Sequence, residues 1–542
     1  MSLKHLFKKI IILISILRVL KNIFMMLNFN TIYIFYKRDK VDKFLSKFST
    51  SKQFVLNNST ILVDGMWDNP NYWLRYSILR KSLGLNNNIE IGLVDKFNVK
   101  KVNKTFKNFG IEKVFNFKDF LPPREMILNE ARQLFLKTKS VEDIFKWKLP
   151  YEFPPELAYD NILKEQKDAF VNIKHEYFFD NIIEILKYIY GAEKFLDTFK
   201  FNLIVLSHPF DIKWGALAWV ALKRKILMIQ PFGAYGTLRF VKMHEPNDIF
   251  STFDHPTKMD FNKLPTKKQK NLIFNGRKIL QKRLNGSSFD IAGNVAYDKY
   301  KEKIDKIKIC KNFDWEVNDK IITFYASNWY DWPHQVGMKN FVDFYDWVLS
   351  TLEIASKTKN VNWLFKAHPC EDRFGGPSLK EVISNKISTK NIKVVPNEWN
   401  GLDLMKSVDA LITYHGTSAV EYAYLGKPVL IPDKGRYEKS GFVLYSKTRK
   451  DYIKNLENSW WENLNLKETK IYSEYYSGWF FSYPKWQKNF FLEDDMKQDD
   501  LYINLENLVI ENKSEINKET NLIKDWFLSK TRHYHSYKII KG

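Results

Sequence analysis

The fold class predicted by the 542-residue sequence is α/β: two Rossmann-like domains facing a cleft, behind an amphipathic amino-terminal helix. Three observations predict it. Short aliphatic runs alternate with helical patterns in two separate series, as parallel βαβ units require. Histidines, glycines and hydroxyl residues stand at the carboxyl ends of those runs, where open parallel sheets bind their ligands. No acidic residue precedes Asp39, whereas Lys4, Lys8, Lys9, Arg18 and Lys21 crowd the start.

The amino terminus comes first. Between Lys9 and Arg18 the run IIILISIL is about half the length that a spanning helix needs. On a helical wheel Lys4, Lys8, Ser15, Arg18 and Asn22 share one narrow face, and most of the rest is apolar. That pattern fits a helix lying in the headgroup layer with its basic groups on anionic lipid. A helix packed on the protein's own surface and a true span are the alternatives. The first alanine is Ala131, so no A-x-A cleavage site follows, which argues against a signal peptide.

In the first series, TILVD over Thr60–Asp64 reads as a buried strand stopped by Gly65. GMWDNPN leads into a helix over 72–83, Gly84 marks its C-terminal stop, and IEIGLV is the next strand. A third strand is expected over 113–117. Residues 122–199 read as helical, punctuated by Pro122–Pro123 and Pro154–Pro155. FNLIVLSHPF is a strand ending in His208–Pro209, a helix follows over 213–222, and ILMIQPFG is a strand and turn. QPFGAYGTLRF then reads as a flexible loop with Gly233, Gly236 and Arg239, its cation facing the cleft.

The second series opens with the strand IITFYAS and a helix over 340–356, then the strand VNWLFKAHP and the short strand IKVVP. One or two helical turns over 402–407, the strand DALIT, a helix over 417–425 and the strand KPVLIP complete it. The expected division is a membrane-associating segment over 1–50, a first Rossmann-like domain with a helical insertion over 51–262 and a linker over 263–319. A second Rossmann-like domain follows over 320–454, and a helical, aromatic tail over 455–542 returns to the first domain.

Composition narrows the function. Apolar residues at 45% and charged residues at 27% exclude wholesale disorder and a multi-span membrane protein. Two cysteines, Cys310 and Cys370, cannot build a disulfide framework or a Cys-rich zinc site, which suits a cytoplasmic setting. The net charge of +23 comes in a chain rich in Lys, Asn, Ile and Phe, the bias of an AT-rich genome. Neither a dense basic stripe nor a nucleic-acid module is present, so an anionic membrane surface or an anionic substrate is the expected partner, not nucleic acid.

Candidate site residues follow from the strand ends. In the second series Lys366-Ala367-His368-Pro369 closes one strand, and YHGTSAVEYAYLGKP closes another and opens a helix. There Gly416 allows close backbone approach, Thr417 and Ser418 offer hydroxyls, and Glu421 sits one turn on, placed to accept from ribose hydroxyls. A plain capping turn is the bland alternative for Thr417 and Ser418, and a proline-locked buried histidine the one for His368. In the first series His208 and Asp211 stand at one strand end, with Asp64 and Asp68 flanking another. Such carboxylates and imidazoles can take the proton of an attacking hydroxyl. Asp64 capping a turn and His208–Pro209 forming a structural corner are the alternatives.

The segment KAHP, followed at some distance by GLDLMKSVDALITYHGTSAVEYAYLGKPVLIP, resembles the donor-binding half of bacterial GT-B glycosyltransferases. It looks most like the capsule-polysaccharide biosynthesis family that includes Kdo transferases, and is also similar to the polyol-phosphate polymerases of teichoic acid synthesis. The resemblance covers 321–442, under a quarter of the chain. It implies that His368, Thr417, Ser418 and Glu421 surround the donor nucleotide, with Lys366 and Gly416 beside them. His415 stands where related turns often carry Asn or Ser. The function expected is a glycosyltransferase moving a sugar from a nucleotide-activated donor to a glycan or lipid-linked acceptor of a capsule or lipopolysaccharide. It would sit peripherally on the inner face of the cell membrane and need no metal or cofactor, as no H-E-x-x-H or Asp-x-Asp pattern is evident. The alternatives are a polyol-phosphate transferase, a sugar-nucleotide epimerase and a non-catalytic membrane scaffold.

Overall fold

The structure, a computed structural model, describes residues 29–51, 55–56, 58–95, 99–232, 237–287, 291–369, 371, 376–387, 389–462, 464–482, 484, 486–487 and 498–541. The basic-apolar segment before residue 29, Gly233, Gly236 and Cys370 lie outside the described residues.

Two six-stranded sheets form, each in the doubly wound order that the alternation predicts. The first runs β3-β2-β1-β4-β5-β6, with β1 Thr60–Asp64, β2 Ile89–Val94, β3 Lys113–Asn116, β4 Leu203–Val205, β5 Leu227–Phe232 and β6 Arg239–Met243. All neighbours pair parallel except β5 and β6. The second runs β12-β11-β10-β7-β8-β9, wholly parallel, with β7 Lys320–Tyr325, β8 Val361–Lys366, β9 Ile392–Val394, β10 Ala410–Thr413, β11 Val429–Ile431 and β12 Leu444–Tyr445. In each sheet the order reverses beside the first strand, at β1/β4 and β7/β10, which creates the crevice where such sheets take ligands.

Local chemistry sets the boundaries. The helix Pro70–Leu83 starts where Asn69 accepts from Asn71 N and ends at Gly84, whose left-handed φ of 66° closes the cap. In the second domain the expected helix start at 340 moves to Phe344. Asp433 takes the backbone N–H groups of Lys339 and Asn340, and Asp343 caps the helix by accepting from Asp346 N at 2.8 Å. Between β3 and β4 the helical stretch resolves into Arg124–Lys137, Pro155–Gln166 and Phe178–Thr198, packed on the first sheet.

The loop assigned to QPFGAYGTLRF ends differently. Arg239 opens β6, is buried, donates from Nε to Thr237 Oγ1 at 2.8 Å and donates to the Phe480 carbonyl. Its guanidinium is thereby held on the tail, while its charge also acts on the cleft-lining Asp254 and His255. The tail also closes the other end of the strand, with Lys242 N on Arg532 O at 3.0 Å, and the helix Lys513–Leu528 packs on Pro70–Leu83. The linker helix Thr266–Leu284 crosses the tail helix Leu466–Phe480 at two glycines. A Cβ on Gly276 would stand 1.7 Å from Glu474 O, and one on Gly478 1.9 Å from Leu272 O. No helix among the described residues is long and apolar enough to cross a membrane.

Candidate active site

Register builds the second-domain site. Thr413 pairs with Tyr325 and Tyr325 with Lys366, so three adjacent strands end in one row. His415 and His368 each follow two residues beyond that row. Lys366 is buried, its Nζ 5.8 Å from the Tyr325 ring centroid. Burial, then the neighbouring Lys301, bring its pKa down to about 8. His415 packs edge-on to Tyr414 and 5.9 Å from Phe344. Burial first, then Arg436 and His368, hold its pKa well below that of a free imidazole, so the ring is neutral at pH 7. Its Nδ1 is buried with no hydrogen-bond partner among the described residues. Such an atom is costly to bury without a partner.

Arg436 was not singled out from sequence. It lies in the loop after β11, between the rings of Phe253 and Tyr437, and Tyr437 Oη donates to Gly416 O at 3.1 Å. The strand-end rule that flagged KAHP applies equally to the KGRY that follows KPVLIP, and was the available signal. The turn itself is close-packed: a Cβ on Gly416 would meet Ser418 Oγ and Thr413 Oγ1 at 3.0 Å.

Glu421 is placed differently from a ribose ligand. It is buried one turn into the helix Ser418–Tyr424, where it accepts from Arg283 Nε and Tyr297 Oη, both from the linker. Arg283 Nη2 also donates to Thr417 Oγ1 at 2.9 Å. Glu421 and Thr417 therefore anchor the linker to the turn, while Ser418, His415, His368 and Lys366 remain at the strand ends.

In the first domain β1 and β4 meet at their own reversal point. Asp64 is fully buried and accepts from Met66 N at 2.8 Å, Ser207 N at 3.0 Å, Trp214 Nε1 at 2.9 Å and Ser207 Oγ. Burial pushes its pKa up, opposed by these donors. With four donors on two oxygens and no exposure, Asp64 joins two strand ends and offers an acceptor nothing. Asp68 is likewise engaged, by Arg38 and by Lys101 at 3.1 Å. Ser207 Oγ gives its proton to Asp64, so the contact of 2.9 Å to His208 Nδ1 needs the proton on that nitrogen and leaves the Nε2 lone pair free of it. His208 stands among Trp67, Phe210 and Trp214, and burial brings its pKa down to about 4. Asp211 accepts from Lys164 at 2.7 Å.

A cleft of about 1180 Å³ opens between the domains, lined from the first by residues such as Trp219 and Phe253 and from the second by His334, Lys339 and Arg436. Among the described residues no group of three or more His, Cys, Asp or Glu is arranged to hold a metal ion.

No family model and no curated protein matches the sequence. Among solved structures, a β-Kdo 2,4-transferase from Thermosulfurimonas dismutans is similar at 11% identity over 52% of this chain and 79% of that one, with a TM-score of 0.30. A glycosyltransferase from Rickettsia africae is similar at 12% identity over 83% and 99%, with a TM-score of 0.25. A UDP-GlcNAc 2-epimerase from Neisseria meningitidis, bound to UDP-GlcNAc, is similar at 15% identity over 77% and 96%, with a TM-score of 0.23. The α/β fold of two Rossmann-like domains stands on the two doubly wound sheets themselves. A likeness of fold attaches no activity.

Proposed function

We propose that the protein is a metal-independent glycosyltransferase that takes a sugar from a nucleotide-activated donor and adds it to a capsule-type or lipopolysaccharide-type surface glycan at the cytoplasmic face of the membrane. One observation carries the reading. At the reversal point of the second sheet a neutral imidazole, His415, has a buried Nδ1 without a partner among the described residues and sits in the positive field of Arg436, with His368 acting in the same direction. A diphosphate or monophosphate brings negative charge to that field, and a ligand hydroxyl or N–H satisfies the orphan nitrogen. Lys366 adds a second cation to the row, so the developing charge on the leaving phosphate meets fixed positive groups. The acceptor hydroxyl would approach from the first domain across the interdomain cleft.

The test is thermal denaturation of the full chain with CMP-, UDP-, GDP- and CDP-linked sugars. A specific donor at a hundredfold its Kd stabilises by about 2.7 kcal/mol. His415→Ala and Arg436→Ala should each weaken donor affinity roughly ten- to hundredfold, the loss of a hydrogen bond to a charged group. Product analysis then separates transfer from isomerisation of free donor, the outcome an epimerase would give. Stabilisation by none of the nucleotides, or equal affinity in both variants, would sink the site.

A further inference from the structure

We propose that His334, oriented by Asp160, is the catalytic base that takes the proton from the acceptor glycan's hydroxyl, and that the interdomain cleft it lines receives that acceptor. The assignment rests on the glycosyltransferase reading above and adds to it the group that the first-domain carboxylate Asp64 cannot supply.

The pair is assembled from both domains. Asp160 lies in the middle of the insertion helix Pro155–Gln166, and His334 in the loop between β7 and the helix Phe344–Ala355. His334 Nδ1 is 2.6 Å from Asp160 Oδ1, and Asp160 Oδ2 accepts the backbone N–H groups of His334 at 3.1 Å and Gln335 at 3.3 Å. Three donors on one buried carboxylate make it the acceptor throughout, so Nδ1 carries the proton. Nε2 then carries the lone pair. It makes no hydrogen bond among the described residues, and His334, 6% exposed, lines the cleft. The ring is fixed between Phe145, with centroids at 5.1 Å, and Tyr159, at 5.4 Å. A base locked in one tautomer, backed by a carboxylate and set in the wall of a cleft, is the arrangement that general-base catalysis uses.

The same loop connects the pair to the donor end. Gly337, three residues on, adopts a left-handed φ of 109°, and a Cβ there would stand 3.0 Å from Lys434 O, two residues before Arg436. His334 and Arg436 thus border one cleft, and Arg436 is the residue that perturbs His415. Trp219, Phe253 and Phe341 line the same cleft and give it aromatic walls. In the step, the acceptor O–H proton passes to Nε2 as the oxygen lone pair bonds the anomeric carbon. The bond from that carbon to the phosphate oxygen breaks, and its electron pair leaves on the nucleotide. The imidazolium, stabilised by Asp160, then releases its proton to water.

Burial lowers the His334 pKa, but Asp160, then Glu156 and Asp343, outweigh it and raise the value above 6.5. Turnover should therefore fall as pH drops through that raised value. The test uses full-length protein, the CMP-, UDP-, GDP- and CDP-sugar panel, water and soluble oligosaccharides as acceptors, and nucleotide release as the signal. His334→Asn keeps an N–H for Asp160 but has no Nε2. It should lose roughly 10²–10⁴-fold in kcat, with donor affinity unchanged. Asp160→Asn places an amide against two backbone N–H groups; it should lower kcat and move the acid limb to lower pH. A His334→Asn variant within threefold of wild-type kcat, or an acid limb unmoved in Asp160→Asn, overturns the assignment. Wild type that turns over none of the panel overturns the glycosyltransferase reading itself, and this assignment with it.

Discussion

Arg283 and Glu421, 138 positions apart in sequence, form an ion pair sealed at the base of the candidate donor turn, with Arg283 4% and Glu421 2% exposed. Tyr297 donates to the same carboxylate, and Arg283 reaches on to Thr417. The linker thereby holds the turn that presents His415. A pair this enclosed behaves as a structural unit, because removing either partner strands the other's charge out of water.

Glu421→Ala should accordingly destabilise the fold by about 3–5 kcal/mol, and Arg283→Ala by a similar amount. The double replacement Arg283→Met with Glu421→Leu should cost less than either single change, since no charge is left buried. Urea denaturation of the three variants checks this. If Glu421→Ala keeps wild-type stability and loses only donor affinity, Glu421 is a ribose ligand after all.

The crossing of Thr266–Leu284 with Leu466–Phe480 admits no side chain at its two glycines. Both would-be Cβ contacts fall on backbone carbonyls, which cannot rotate away. Gly276→Ala and Gly478→Ala should each cost about 1–3 kcal/mol or more, the usual range for overpacking. A control at Gly110, where an added Cβ meets nothing within 4 Å, separates crowding from the backbone effect of its φ of 75°. Equal losses at all three positions would refute a packing cause.

What the sequence made legible follows from where each group finds its partner. The aliphatic strands and the Gly84 stop are local patterns, and they fell where periodicity put them. Strand β6 was hidden because Arg239 and Lys242 make RFVKM look like a loop. Their partners are the carbonyls of Phe480 and of Trp526, Phe527 and Ser529 in the tail, far away in sequence. The same distance hid the fate of Asp64, whose donors Ser207 and Trp214 lie on another strand end and helix. Lys366, His368 and His415 were legible because strand ends mark sites in parallel sheets. Asp160 gave one signal, a carboxylate inside the apolar run LAYDNIL, and His334 gave none.

The neutral His208 makes stability depend on pH in a defined direction. Burial holds its pKa at about 4, with Asp211 opposing and Lys164 adding to the shift. The folded value lies below the unfolded one, so on acidification the unfolded chain takes up the proton first. Stability from this group is therefore present above pH 6.5 and is lost as pH falls from 6.5 towards 4. His208→Gln has no such titration, so wild type should lose stability more steeply than the variant across that window. Groups common to both chains cancel in the difference. Urea denaturation at pH 7 and pH 4.5 measures it, and parallel losses would show that His208 is not held neutral.

Membrane attachment should reside in the first 28 residues. They carry Lys4, Lys8, Lys9, Arg18 and Lys21 and no carboxylate, beside the apolar run IIILISIL. Each basic group near an anionic surface contributes about 1 kcal/mol, so the segment alone can hold the protein at the bilayer. Deleting it leaves the helix Phe29–Phe48 in place on Pro70–Leu83 and Gln498–Glu511, so the folded body keeps its first-domain packing. The truncated protein should stop floating with phosphatidylglycerol vesicles and keep its thermal response to the donor. Full-length protein should bind phosphatidylcholine vesicles more weakly than anionic ones, and bind the anionic ones less as salt is raised, because part of the attraction is screened charge. Flotation unchanged by the deletion would move the attachment site elsewhere. Binding indifferent to both lipid charge and salt would instead leave the apolar run as its source and remove the basic face from the account.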